Sequence, residues 1–493
     1  MYASKVGLSK SKITAFEQCP KRLWLQVHRR DLAEHDSGAE ARFDAGHDVG
    51  AVACALLPDG IMIEDEPDLA AALETTSEII ASGKNPTMFE ATFVFEGVLV
   101  RVDVLEPDGT GGWHVAEVKS STSRKDYHLA DLATQVWVMQ ENGLKISSAS
   151  IRHINNRFVL AEEGQFQGLL VDAHSLSDIG PFLKNRGEIV GDARAVVAGP
   201  EPVREIGSHC GSPFTCEFQS YCNQNAAPLE WPVSLLPNTG KKVAAIWADR
   251  GVLELTDVPP GSFSNLVHTR VHEATCSGIP FHDADGARLA TAHWTFPRTY
   301  LDFETIAFAI PRWIGTRPYE QVPFQFSAHI ETSDGLISHR EFLSINGSDP
   351  RRRCAEAILQ HVPQEGAVIA YSAGFERGCI LRLAELYPDL GEGLRQIADR
   401  LVDLLPVTRN HWYDRDQRGS WSIKAVLPTI GSELSYKELA VHDGSAAQAA
   451  YMEAIDFATT MERHAEIDRE LRKYCGVDTE AMIALLHRLI DWI

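Results

Sequence analysis

The 493-residue chain contains no uninterrupted apolar run of the ~18 residues that a membrane-spanning helix requires, so no such helix is expected. Its opening stretch, MYASKVGLSKSK, lacks the apolar core of a secretory signal, and the expectation is a cytoplasmic protein with no membrane partner. Positive charge is scarce: 46 Lys and Arg stand against 68 Asp and Glu, leaving a formal charge of −22. That balance excludes non-specific coating of nucleic acid by the whole surface, while leaving room for a local basic groove. One basic stretch does exist, with Lys5, Lys10, Lys12, Lys21, Arg22, Arg29 and Arg30 in the first thirty residues. With no export signal, the nine cysteines are expected to be reduced or metal-bound, not paired in disulfides. What is present, 44% hydrophobic and 23% charged residues over this length, describes a soluble globular chain of two or three domains.

Apolar spacing predicts a helix over Ser9–Val27, met midway by Cys19-Pro20, and helices over Phe43–Leu56 and Asp68–Ser82. Strands are predicted at Met88–Phe95, Val98–Val104 and Trp113–Val118, then a helix Tyr127–Asn142 closed by Gly143. Ile146–Ile154 and Phe158–Leu160 are further strand candidates. This order predicts an α/β domain, a mixed sheet with flanking helices. Within it, Pro-Asp-Gly-Thr-Gly-Gly is a hairpin turn between a strand carrying Asp103 and one carrying Glu117 and Lys119. Residues two apart on a strand leave the same face, so Glu117 and Lys119 point together and Asp103 can meet them. Two carboxylates and an ammonium on one face invite a divalent cation held by Asp103 and Glu117, with Lys119 near an attacking water. An ordinary cross-strand ion pair is the alternative.

Cys210, Cys216 and Cys222 follow at regular spacing, too clustered for three independent core fillers. His209 would complete a zinc site, and Cys19 an all-thiolate one. Taken together, Asp103, Glu117-Val118-Lys119, a helix carrying Gln135, one early cysteine and three late ones resemble the RecB-like branch of the PD-(D/E)XK nucleases. The resemblance covers roughly residues 8–225. It implies a restriction-endonuclease-like fold, Mg²⁺ or Mn²⁺ at Asp103 and Glu117, a positioning role for Gln135, and a [4Fe–4S] cluster on Cys19, Cys210, Cys216 and Cys222. One element departs. That branch often has a metal-binding histidine four residues after a helical glycine; counted from Gly46 this is Gly50, and His47 reads as an ordinary helix residue.

Residues 226–297 open on a proline-marked, linker-like stretch and carry no recognisable chemistry; they are expected to bridge two domains. A second constellation then begins. Arg298–Thr305 is a predicted strand that places Asp302 and Glu304 on one face, and Phe375-Glu376 opens a helix directly after a predicted strand, Ala367–Tyr371. Tyr474 and Asp478 lie one helical turn apart. This order resembles the DEDD exonucleases of the RNase H-like fold. The resemblance implies that residues 298–493 form an RNase H-like α/β domain, that Asp302, Glu304, Glu376 and Asp478 bind two divalent metals, and that Tyr474 positions water. The family usually has Asn and Phe-Asp where this chain has Ser372 and Phe375-Glu376. The C-terminal half also resembles a bacterial domain-of-unknown-function family that pairs this module with an iron–sulfur RecB-like one. Asp403 reads as structural, Lys424 as a phosphate contact or a solvated loop residue, and Cys54, Cys276, Cys354, Cys379 and Cys475 as core filling. The expected activity is hydrolysis of nucleic acid, DNA before RNA and single strands before duplex; the alternative is a nucleic-acid-binding scaffold with one or both sites inactive.

Overall fold

The computed structural model describes residues 7–34, 37–66, 68–224, 229–238 and 240–491; Lys5 and part of the linker-like stretch, 226–228 and 239, lie outside them. The chain forms two compact units: Met1–Ala227 with Phe308–Glu320, and Pro228–Ala307 with Gln321–Ile493. Both are mixed α/β. Among the described residues no helix is long and apolar enough to cross a membrane.

In the first unit the N-terminal helical stretch is broken where Pro20 removes a backbone donor and constrains Cys19. Cys19 is extended (φ −162°), separating α1 (Lys10–Gln18) from α2 (Pro20–His28), where the proline takes the first helical turn. Helices α3 (Ser37–Ala55) and α4 (Leu69–Ala81) follow. The strands are β1 (Leu8–Ser9), β2 (Ile61–Met62), β3 (Met88–Phe95), β4 (Val98–Pro107), β5 (Trp113–Lys119), β6 (Ile146–Ile154) and β7 (Leu170–His174). They form a seven-stranded sheet in the order β2-β3-β4-β5-β6-β7, with β1 alongside β4. Strands β3, β4 and β5 are antiparallel; β5 and β6 are parallel, joined by α5 (Asp126–Glu141). The β4–β5 turn closes because Asp108 accepts from the backbone of Thr110 (2.7 Å) and Gly112 (2.8 Å), with Gly109 and Gly111 at positive φ. Along β4, Val98, Val100, Val102 and Val104 are buried at alternate positions, the phase that leaves Asp103 on the other face.

The expected strand Phe158–Leu160 is not one. Leu160 instead exchanges backbone hydrogen bonds with Thr316 (3.0 Å) and Gly315 (2.7 Å), and β7 takes the sheet edge beside β6. Residues 308–320 thereby complete the first unit, with Ala309 packed in a cluster with Val49, Ile154 and Leu169.

The second unit holds β8 (Phe281–His282), β9 (Arg298–Ile306), β10 (Val322–Glu331), β11 (Ile337–Leu343), β12 (Val368–Ala370), β13 (Leu401–Asp403) and β14 (Trp412–Tyr413). Its five-stranded sheet runs β11-β10-β9-β12-β13, antiparallel from β11 to β9 and parallel from β9 to β13; β14 and β8 pair separately. The helix Met461–Leu489 lies against the sheet, where Gln325 donates to the Leu471 carbonyl (2.9 Å) and Ser327 bonds Thr479 (2.7 Å). The stretch expected to bridge domains is core material. Val233, Leu236, Leu255, Val258, Val271 and Trp294 share one apolar cluster with Tyr300, Ile369, Trp412 and Leu485. Its polar, proline-rich opening masked an apolar content sufficient to be drawn into the second unit by burial.

Candidate functional site

Three centres take shape, and the most acidic is in the second unit. Strand β9 delivers Asp302 and Glu304 from one face, and the helix Met461–Leu489 delivers Asp478; ligand atoms of the three lie within 4.8 Å of one another. Burial, reinforced by Asp478, Glu304 and Glu376, holds Asp302 well above the usual carboxylate range. Burial and Asp478 push Glu304 up to about 8, against the pull of Lys424. Asp478 is raised by burial, although Tyr436 donates to it at 2.6 Å. Burial drives all three shifts, like charges add to those of Asp302 and Glu304, and a divalent cation would reverse them.

Glu376 is in the third position of the helix Gly374–Leu386, 3% exposed, with Oε2 lacking a hydrogen-bond partner among the described residues. Burial, with Asp403 nearby, lifts it to about 7. It bears electrostatically on Asp302, but it is not part of the tight trio. The helix is set by the preceding turn: Ser372 sits at φ 76° and donates its N–H to Asp403 (3.0 Å), which also caps the helix Leu404–His411 through Leu405 N. Asp403 is thus structural. A positive φ suits Asn better than the Ser that stands here. Tyr474 is buried, its phenol kept protonated by burial and by Asp478 and Glu304. Lys424 donates to its hydroxyl (3.0 Å) and lies over the rings of Tyr474 (4.9 Å) and Tyr436 (5.3 Å), so it is a built part of this centre and not a solvated loop residue.

In the first unit, Glu117 is 1% exposed and takes hydrogen bonds on both oxygens. Lys10 donates to Oε1 (2.8 Å) and Oε2 (3.0 Å), Lys119 to Oε1 (2.6 Å), and Gln135 to Oε2 (2.5 Å). Gln135 is wholly buried on α5, with its amide aimed at Glu117. Asp103 accepts from Val118 N (2.7 Å) and lies 3.8 Å from Lys10 Nζ. Lys119 also reaches Asp131 on α5 (3.2 Å). Burial opposes ionisation of Glu117, but Lys10 and Lys119 overcome it and hold the carboxyl well below its usual range. Asp103 goes the other way: burial and the Glu117 charge lift it to about 7. Opposite Asp103, Glu90 stands at φ 56° within β3, and its charge adds to that lift.

The third centre is thiol-rich. Cys19, Cys210, Cys216 and Cys222 line one small pocket with His209, Lys21, Arg22 and Phe218. Gln18 donates to the carbonyls of His209 (2.7 Å) and Phe214 (2.7 Å), and Arg22 pairs with Glu217 (2.9 Å), so α1 and α2 are stitched to the cysteine loop. Burial raises Cys216 to about 11 and raises Cys222 as well. Of the remaining cysteines, Cys354, Cys379 and Cys475 are buried, but Cys276 is exposed and Cys54 half-buried, so core filling does not describe those two.

Lys10, Asp131 and Glu90 in the first unit and Tyr436 and Asp443 in the second were not anticipated as site residues. Lys10 was visible only as part of a basic N-terminal stretch. Asp443 caps the helix Gly444–Ala454, and its charge adds to the lift on Glu304; nothing local distinguishes it from any other cap.

Residues 299–422 match the model of the "Domain of unknown function (DUF2779)". Over 218 residues the chain is 24% identical to the uncharacterized protein MG366 of Mycoplasma genitalium, covering 40% of this chain and 32% of that protein. The uncharacterized protein UU173 of Ureaplasma parvum is 28% identical over 221 residues, 39% of this chain and 32% of that protein. The match therefore spans about a third of the length of these curated relatives. The solved structure of SSO0001 covers 38% of this chain and 78% of its own at 13% identity, with a TM-score of 0.19, too low to carry an argument. What the likenesses establish is a stretch similar to a domain of unknown function, starting at β9, the strand that bears Asp302 and Glu304.

Proposed function

We propose that this chain is a divalent-metal-dependent nuclease, with an exonuclease-type centre at Asp302, Glu304, Glu376 and Asp478 and a PD-(D/E)XK-type centre at Asp103, Glu117 and Lys119. The observation that carries the reading is the buried carboxylate trio Asp302, Glu304 and Asp478, gathered within 4.8 Å with no cation of the chain's own in hydrogen-bond contact among the described residues. Such a cluster is strongly unfavourable unless protonated or metal-bound. Mg²⁺ or Mn²⁺ there would polarise a phosphodiester and lower the pKa of bound water. The chain's own share is to hold that charge and orient the water: Tyr474, fixed through Lys424, offers its hydroxyl beside Asp478. The resemblances to the DEDD and RecB-like nucleases supply the substrate class, DNA first and RNA second. The resemblance to the RecB-like branch makes a [4Fe–4S] cluster the first candidate on the four cysteines, with zinc the alternative, and its placement between α1–α2 and the late loop makes its role structural.

A second reading, a nucleic-acid-binding scaffold with an inactive first centre, draws on Glu117, whose oxygens are already saturated by Lys10, Lys119 and Gln135. End-labelled single-stranded DNA and RNA incubated with Mg²⁺ or Mn²⁺ separate the two. Anaerobically purified wild type is expected to cleave, Asp302→Ala to lose most of that cleavage, and Asp103→Ala to lose the remainder. Absence of metal-dependent cleavage of either polymer by wild type would leave the scaffold reading standing.

A further inference from the structure

The first centre offsets most of its negative charge with side chains of its own. Three carboxylates, Asp103, Glu117 and Asp131, converge with two ammonium groups, Lys10 and Lys119. A carboxylate offers about four lone-pair sites, and Lys10, Lys119 and Gln135 together use that many on Glu117. No metal can bind Glu117 until one donor leaves. Gln135 is wholly enclosed and bonded at 2.5 Å, so it stays. Lys119 leans on Asp131 as well and belongs to the same strand as Glu117, so it also stays near. Lys10 comes from a different element, the first turn of α1, and its ammonium lies 2.8 Å from Glu117 and 3.8 Å from Asp103, between the two carboxylates that a divalent ion would bridge. Its placement is not a helix preference, since a cation at a helix N-terminus opposes the helix dipole. What holds it there is the carboxylate pair.

We infer that the Lys10 ammonium occupies the divalent-cation seat between Asp103 and Glu117 and must be displaced for a metal to enter. This deepens the nuclease reading of the first unit and rests on it. No bond is made or broken in the exchange; one cation replaces another on the same two carboxylates. Lys10 thereby sets the metal concentration at which the first centre loads, and α1, which starts at Lys10 and ends against Cys19, ties that setting to the helix pair anchored on the cysteine loop.

The test is Mn²⁺ binding to the full chain, read by electron paramagnetic resonance of the free ion. An Asp302→Ala background removes the second centre's contribution, and Glu117→Gln identifies the first. Lys10→Met keeps the stem and removes the charge; Lys10→Gln is a second neutral variant should the first misfold, and Lys10→Arg retains a cation. Expected are tighter Mn²⁺ binding in both neutral variants, by about tenfold for the loss of one charge-assisted competitor, and near-parental binding in Lys10→Arg. Unchanged or weaker binding in the neutral variants, with the parent still binding through Glu117, would overturn the inference and leave the metal reading intact. Mn²⁺ binding that is insensitive to Glu117→Gln in parent and variants alike would overturn both.

Discussion

Glu376 allows the electrostatics of the second centre to be tested without any substrate. Its carboxyl is buried, one oxygen has no partner, and burial lifts its pKa from an ordinary 4.5 to about 7. In the folded state it therefore keeps its proton to about pH 7, whereas in the unfolded chain it loses the proton near 4.5. Between those values the native state binds more protons than the unfolded state, so stability falls as pH rises. Below 4.5 the penalty is absent; above about 7 it is complete, and the difference converts to about 3 kcal/mol. Glu376→Gln cannot ionise and escapes that penalty. In EDTA, its stability relative to wild type should grow by about 3 kcal/mol between about pH 4 and pH 8.5, whatever fixed cost the amide adds. For a unit of this size that is a melting-temperature gain of roughly 6–12 °C in the second unit's transition. Calorimetry at both pH values, resolving the transitions of the two units, measures it. A melting difference that is the same at both ends of the pH range would refute the reasoning, because the carboxyl would then ionise freely in the folded state.

Three further outcomes are expected. Tyr436→Phe removes the 2.6 Å hydrogen bond to Asp478 and should weaken Mn²⁺ binding at the second centre by about 10–100-fold, with the fold intact by circular dichroism. Gln135→Ala takes one donor from a buried carboxylate and should lower the first unit's stability by about 1–3 kcal/mol in chemical denaturation; a neutral result would show that Lys10 and Lys119 suffice. Cys216→Ser, purified anaerobically, should lose bound iron and absorbance near ~400 nm together with melting temperature in the first unit only. A wild type that is colourless and carries one zinc would replace the cluster by a zinc site.

Much of the fold was legible because alternation and turn chemistry are local. The strands Met88–Phe95 and Ile146–Ile154 carry the expected bounds, and the hairpin that joins Asp103 to Glu117 follows from Asp108 and its glycines. The same-face rule likewise brought Asp302 and Glu304 together on β9. What escaped depends on distance in sequence. Lys10 meets Glu117 across 107 positions, and nothing in KSK marks one lysine over another. Tyr436 meets Asp478 from a loop with no regular structure, so no periodicity points to it. Residues 226–297 read as a linker because the prolines and polar residues at their start outweigh the scattered apolar residues that pack into the second core.

The excursion at residues 308–320 has a consequence for how the chain is made. It leaves the second unit just after β9 and supplies Ala309, Gly315 and Thr316 to the first. As the polypeptide emerges from the ribosome, the first unit lacks its last piece until residue 320 has left the exit tunnel, by which time the strand bearing Asp302 and Glu304 is already exposed. Domain-by-domain folding, N-terminal part first, is the usual order for long chains. Here the order is interleaved: the last piece of the first unit and the first strand of the second centre reach solvent together. A chain cut at the boundary near residue 227 would therefore release an unfinished first unit, and would leave the second with an apolar loop that has lost its place.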